Sequence, residues 1–214
     1  MIKVTASFDD GSIYDLRTAN MMYNFKIPTT FYIPVNWRKY LLMRGIDPLN
    51  DEQLKELASE FEIGSHSVNH VLLTRVSEED QVFEIYESKM YWEEYLNKKV
   101  NKFCYPRGYY TSDIAEVVKA AEYTEARTTL VGELNPAENK YARHTTIHVG
   151  CDRREYGCSW LEFGKKMIAK ALEKESRGED VDFHFWGHSA EIHQNNQWEN
   201  FVKFMDLLNE NILS

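Results

Sequence analysis

Ile2-Lys3-Val4-Thr5-Ala6-Ser7-Phe8-Asp9-Asp10-Gly11 places apolar side chains at Ile2, Val4, Ala6 and Phe8, every second position, and then two acids and a glycine. Successive side chains leave a strand on opposite faces, so this period predicts a strand with one buried face. The strand ends in a turn that receives two carboxylates. Outward from it, residues 16–23 read as a helix, and residues 29–33 are a β-branched and aromatic run closed by Pro34. Residues 51–60, with Leu54 and Leu57 as an apolar stripe, predict a helix leading into a strand over 61–64 and an exit loop that holds His66-Ser67-Val68-Asn69-His70.

The alternation continues to the far end of the chain. Ser77 followed by Glu78, Glu79 and Asp80 is a helix start, because the hydroxyl caps a free amide and the acids meet the positive end of the dipole. The charged helix from there to residue 99 reads as a solvated outer face. Strands are expected over 101–105, 125–129, 143–148 and 181–186, with helices over 111–121, 160–172 and 198–208. Seven strands alternating with helices, without a linker, predict an α/β fold: one closed or nearly closed (β/α) barrel occupying residues 1–214 as a single domain. Functional groups then collect at the C-terminal ends of the strands, where Asp9, Asp10, His66, His70, Arg107, Arg127 and His188 fall.

Composition narrows the function. The 25 basic residues against 34 acidic ones give a net charge of −9, which argues against a phosphate-backbone binder, so no nucleic-acid partner is expected. No apolar run approaches the roughly 18 residues needed to cross a bilayer, and no membrane association is expected. The first ten residues lack the basic start and unbroken apolar stretch of a secretory signal, which predicts a cytoplasmic location. Cys104, Cys151 and Cys158 are odd in number and contain no C-x-x-C pair, so neither a disulfide framework nor a zinc knuckle is indicated.

His66 and His70 are spaced i, i+4, which puts two imidazoles on one face if the segment is a helical turn. Two imidazoles and one carboxylate suit zinc with an open position for water. Neighbouring residues at a strand end point in different directions, so one of Asp9 and Asp10 binds the metal while the other addresses the water. The spacing leaves open which does which. Cys104 reads as a small buried hydrophobe without an adjacent base, and His144, His148, His184 and His193 as structural or exposed.

Ser7-Phe8-Asp9-Asp10-Gly11 and His66-Ser67-Val68-Asn69-His70 closely resemble the first two motifs of the polysaccharide deacetylase family, the NodB homology domain of carbohydrate esterase family 4. Phe103-Cys104-Tyr105-Pro106-Arg107-Gly108 resembles the third, Ala126-Arg127-Thr128-Thr129 a variant of the fourth, and Phe185-Trp186-Gly187-His188-Ser189 the fifth, all in the family's order. The resemblance implies a distorted barrel of about seven strands and a divalent metal, zinc first, on Asp10, His66 and His70. It implies Asp9 as general base and His188 as general acid, with a metal-activated water removing an N-acetyl or related acyl group from a carbohydrate. The backbone of Arg107 would help stabilise the oxyanion, and Tyr105 and Trp186 are the expected substrate contacts, with Trp186 read equally as a pocket floor on which a sugar ring stacks or as a core residue. Cys104 stands where the family has an arginine that orients the base; Arg127, rather than Arg107, is the expected replacement. The fourth motif lacks the aspartate partner of the acid histidine, for which Glu191 is a candidate. Two other functions fit the same residues: an amidohydrolase on a small non-sugar amide or cyclic imide, and a catalytically silent glycan-binding module.

Overall fold

The computed structural model describes residues 1–213. Seven parallel strands form one sheet in the order β5-β4-β3-β2-β1-β7-β6: β1 (Ile2–Asp9), β2 (Thr29–Ile33), β3 (Glu62–Ser65), β4 (Lys102–Cys104), β5 (Glu125–Arg127), β6 (Ile147–His148) and β7 (Val181–Gly187). Eight α-helices accompany them: α1 (Asp15–Asn24), α2 (Trp37–Leu42), α3 (Asp51–Glu60), α4 (Glu78–Leu96), α5 (Ser112–Ala120), α6 (Trp160–Ser176), α7 (Ser189–Gln194) and α8 (Trp198–Leu208). Strands β2 to β5 follow in succession on one side of β1, and β7 and β6 lie on the other. The order therefore switches at β1, and loops part at its C-terminal end, where an open site forms in sheets of this kind.

The sheet curls into a half-barrel and does not close as a ladder. β6 is two residues long, and Arg143, expected in that strand, makes an isolated parallel bridge to Arg127 instead. Irregular chain fills the gap: Arg143 N donates to Ala126 O at 2.9 Å, and Thr146 N donates to His184 O at 2.7 Å. These bonds satisfy the edge strands without regular pairing.

The outer face is apolar and the inner face is polar. Phe8 packs on Phe31 (5.8 Å between centroids), Phe185 (6.5 Å) and Phe201 (6.0 Å), joining the sheet to α8. On the inside, His184 is held through both ring nitrogens, by Thr5 Oγ1 at 2.8 Å and Ser7 Oγ at 2.9 Å. Burial and the cations around it push its pKa well below the usual range. A cavity of about 640 Å³ lies at the N-terminal ends of the strands, where Lys102 pairs with Glu62 (2.8 Å) and Glu125 (3.3 Å) and Arg143 with Glu125 (3.7 Å). The motif residues are at the opposite end.

Glycine at position 64 lets the Tyr32 ring fill the half-barrel, since a Cβ there would stand 2.4 Å from Cδ1 of that ring. Gly64→Ala should cost about 1–3 kcal/mol, the usual penalty of overpacking. Equal urea midpoints for variant and wild type would show that the ring moves freely.

The charged helix α4 is not simply a solvated face. Glu84, Ile85, Ser88, Lys89 and Trp92 are buried along one side. Three of those five are polar, so the inward stripe does not show as an apolar period.

Candidate active site

Asp9 ends β1, and the chain turns sharply after it. Asp10 has φ +85° and Gly11 φ +79°, and Asp10 N donates to Tyr32 O at 2.9 Å. A positive φ at a non-glycine residue is costly and survives where its surroundings impose it. Here it turns the two neighbouring carboxylates to different partners.

Asp9 belongs to Arg127. The guanidinium Nη2 lies 2.6 Å from Oδ1 and 2.5 Å from Oδ2, and both residues are about 98% buried. Arg127 is itself packed on Trp186 (4.7 Å to the ring centroid) and Tyr32 (5.1 Å). Burial opposes the charge on Asp9, but Arg127, then His66 and His188, outweigh it and hold the carboxyl below its ordinary range. Cys104 is buried beside this pair, with Arg127 Nη2 2.9 Å from its Sγ, and burial raises its thiol pKa well above normal. It is a packing residue whose small side chain leaves room for Arg127. Arg107 stands apart, exposed in the turn after β4.

Asp10 faces the imidazoles. Its Oδ1 lies 3.8 Å from His66 Nε2 and 3.6 Å from His70 Nε2, and this buried oxygen has no hydrogen-bond partner among the described residues. Ligands about 2.0–2.1 Å from a tetrahedral centre are roughly 3.4 Å apart, so the three atoms are spaced to share one small divalent cation. His66 Nδ1 is 2.7 Å from Cys104 O, which places the proton on Nδ1 and leaves Nε2 a lone pair. Burial keeps both imidazoles neutral, lowering His66 and taking His70 down to about 2 with help from His66 and His188. Neutral imidazoles and an unpartnered carboxylate oxygen are what a metal requires.

The His66–His70 segment is a loop rather than a helical turn. Ser67 and His70 have φ of +66° and +54°, and Glu84 of α4 clamps the loop by accepting from Val68 N and Asn69 N, both at 2.8 Å, and from Asn69 Nδ2 at 2.7 Å. Glu84→Ala should release the loop and weaken divalent-metal affinity about 10- to 100-fold, as loss of a ligand's support does. Zinc titration against a chelating dye measures it, and an unchanged affinity would mean that the loop holds its shape alone.

His188 follows β7, with Nε2 3.8 Å from Asp10 Oδ2 and Nδ1 3.0 Å from Glu191 Oε2. Burial opposes its charge, but Glu191, Asp10 and Asp9 raise its pKa to about 10. Glu191, in the short helix α7, is held below the usual carboxylate range by His188 and His148 against the effect of burial. His148, expected to be structural or exposed, is a buried supporting residue behind the cavity wall: its Nε2 lies 3.0 Å from Glu191 Oε2 and its ring stacks on Trp186 at 4.0 Å. No local pattern marks it, because β6 is only two residues long.

The cavity here measures about 440 Å³ and is lined by Asp9, Asp10, His66, His70, Trp186 and His188 together with Tyr40, Arg44, Arg107 and Glu191. Tyr40 comes from α2 and covers His70, with ring centroids 4.2 Å apart. Tyr105 does not reach the cavity. Its ring is wholly buried, stacked on Tyr110 at 5.0 Å, and its hydroxyl donates to Tyr141 O at 2.8 Å, so the expected substrate contact is replaced by a core contact. Trp186 is a cavity wall packed against His148 and Arg127. His193 stacks on Tyr14 at 4.0 Å, outside the cavity lining.

A family model described as polysaccharide deacetylase matches residues 2–126. Among curated proteins, YxkH of Bacillus subtilis (strain 168), named for that family, is 27% identical over 97 residues, 45% of this chain and 35% of that protein. The deacetylase PplD of Streptococcus pyogenes, solved in complex with acetate, is 25% identical with a TM-score of 0.51 over 59% of this chain and 55% of that one. Wild-type BA3943 of Bacillus anthracis, a pseudoenzyme of carbohydrate esterase family 4, shares the fold over 95% of this chain and 60% of its own, with a TM-score of 0.57 and 14% identity. The matches thus span less than two thirds of each of these relatives.

Proposed function

The chain belongs to the polysaccharide deacetylase family, and on that premise we propose that it is a metal-dependent hydrolase that removes an N-acetyl or related acyl group from a carbohydrate. The observation that carries this reading is the division of the two adjacent carboxylates: Arg127 occupies both oxygens of Asp9, while Asp10 Oδ1 faces two neutral imidazoles and has no hydrogen-bond partner among the described residues. Asp10, His66 and His70 would hold the cation, most naturally zinc for two nitrogens and one oxygen. When bound, such an ion polarises the acyl oxygen and lowers the pKa of a water to about 7.

The remaining steps belong to side chains. Asp9, kept ionised by Arg127, accepts a proton from the attacking water. His188, kept protonated by Glu191 at Nδ1, presents Nε2–H toward the cavity and donates that proton to the departing nitrogen as the C–N bond breaks. Carboxylic acid and amine are the products. Glu191 positions His188 in the absence of a fourth-motif aspartate, and His148 supports Glu191 from the other side.

A module that only binds glycan has no use for a base locked to a buried arginine and an acid locked to a glutamate. A small non-sugar amide is the second reading, favoured by a cavity of about 440 Å³, within the range of small-molecule sites. Acetate release by zinc-loaded protein from N-acetylglucosamine and its short oligomers, set beside opening of a cyclic imide, tests both. If wild type and Asp9→Asn release acetate equally slowly, the deacetylase reading is wrong.

A further inference from the structure

Among the described residues five of the ten arginines meet carboxylates: Arg38 with Asp51, Arg127 with Asp9, Arg143 with Asp182, Arg153 with Glu155 and Arg177 with Glu173. Arg44 and Arg107, both lining the cavity, have no such partner among the described residues. Arg44 is nevertheless held in place. Its Nη1 donates to Tyr40 O at 3.1 Å and its guanidinium lies 3.7 Å from the centroid of the Tyr40 ring, which in turn covers His70. The Arg107 turn is fixed as well. The Thr129 hydroxyl donates to Arg107 O at 3.2 Å, and a Cβ at Gly108 would stand 2.1 Å from that hydroxyl oxygen. Both residues are exposed and line the same cavity.

The charges deeper in the site are accounted for. Asp9 faces Arg127, Glu191 faces His188, and Asp10 faces the proposed cation. Two uncompensated positive charges therefore remain at the mouth, on a chain whose net charge is −9 and whose general field repels anions. An uncharged N-acetyl sugar gives these guanidiniums nothing to neutralise, whereas arginine is the side chain best matched to carboxylate and phosphate oxygens.

We propose that the substrate carries an anionic group, a carboxylate or a phosphate, beyond its scissile amide, and that Arg44 and Arg107 bind it at the mouth of the cavity. The amide part of this statement rests on the deacetylase reading; the anion part does not. Three matched compounds separate the sources: N-acetylglucosamine, N-acetylmuramic acid, which adds a carboxylate, and N-acetylglucosamine 6-phosphate.

With zinc-loaded wild type, kcat/KM for at least one charged compound should exceed that for N-acetylglucosamine by about 10- to 100-fold, the worth of a hydrogen bond to a charged group. In Arg44→Gln and Arg107→Gln that ratio should fall about tenfold or more, and added salt should lower it in wild type. Because a merely structural role would affect charged and neutral substrates alike, the ratio is the readout, with urea midpoints confirming that the variants fold. A wild-type ratio near one, or a ratio unchanged in both variants, overturns the proposal.

Calorimetry with the amines glucosamine, muramic acid and glucosamine 6-phosphate keeps the two readings distinguishable. Should no compound be hydrolysed, the deacetylase reading fails. Tighter binding of a charged amine, lost in the arginine variants, would then still support the anion site, and equal binding of all three would remove it.

Discussion

His70→Ala is expected to lose its divalent metal. Wild type dialysed against zinc and then metal-free buffer should retain about one zinc per chain by mass spectrometry, and the variant only a small fraction of that. His70 Nε2 is 3.6 Å from Asp10 Oδ1, and burial keeps the ring neutral, so its removal leaves two protein ligands where an open zinc site needs three. The loss in affinity should exceed the roughly 10- to 100-fold expected for Glu84→Ala, because a ligand is removed rather than its support. Metal bound only by the folded state also stabilises it, so zinc should raise the thermal midpoint of wild type and leave that of His70→Ala in place. Equal, stoichiometric zinc in both proteins would dismiss Asp10, His66 and His70 as the ligand set.

Asp9→Asn and His188→Ala should each keep the metal and lower kcat by about 10² to 10⁴, the worth of a positioned base or acid. Near-normal turnover of either variant, on a substrate that wild type cleaves, would refute the role assigned to it. Arg127→Ala tests the same base by pH. Arg127 holds Asp9 ionised against its burial, so without the guanidinium the Asp9 pKa must rise. The base is active only when ionised, and the acidic limb of kcat/KM should therefore move to higher pH. A limb that stays in place while metal content is unchanged would mean that Asp9 is not the titrating base. Arg127→Ala also strands a buried charge, a change that costs about 3–5 kcal/mol, so its assay belongs at low temperature with folding checked.

The motif-bearing parts of this protein were legible because they are local. The period of two in β1, the helix start at Ser77 and the five short motifs each lie within a few residues, and the strands they mark all appear in the sheet. Both α2 and α7 escaped notice. Each has six residues, too few for an apolar period to emerge, and they bring Tyr40 and Glu191 to the site. Residues 143–148 read as one strand because their side chains suit a strand; only the last two pair regularly, since the irregular chain from 128 to 146 already satisfies the neighbouring edges.

The amino-acid sequence by itself determined the alternation of strands and helices, the parallel sheet this implies, and the placing of Asp9, Asp10, His66, His70 and His188 at strand ends, because periodicity, caps and motifs are written in neighbouring residues. Tertiary structure alone decided that Glu84 clamps the histidine loop, that Tyr40 covers His70, and that Arg44 and Arg107 line one cavity without acidic partners among the described residues. Those contacts bring together residues 15 or more positions apart. Their energies depend on distance, burial and the presence of a competing charge, and none of these exists until the sheet has curled.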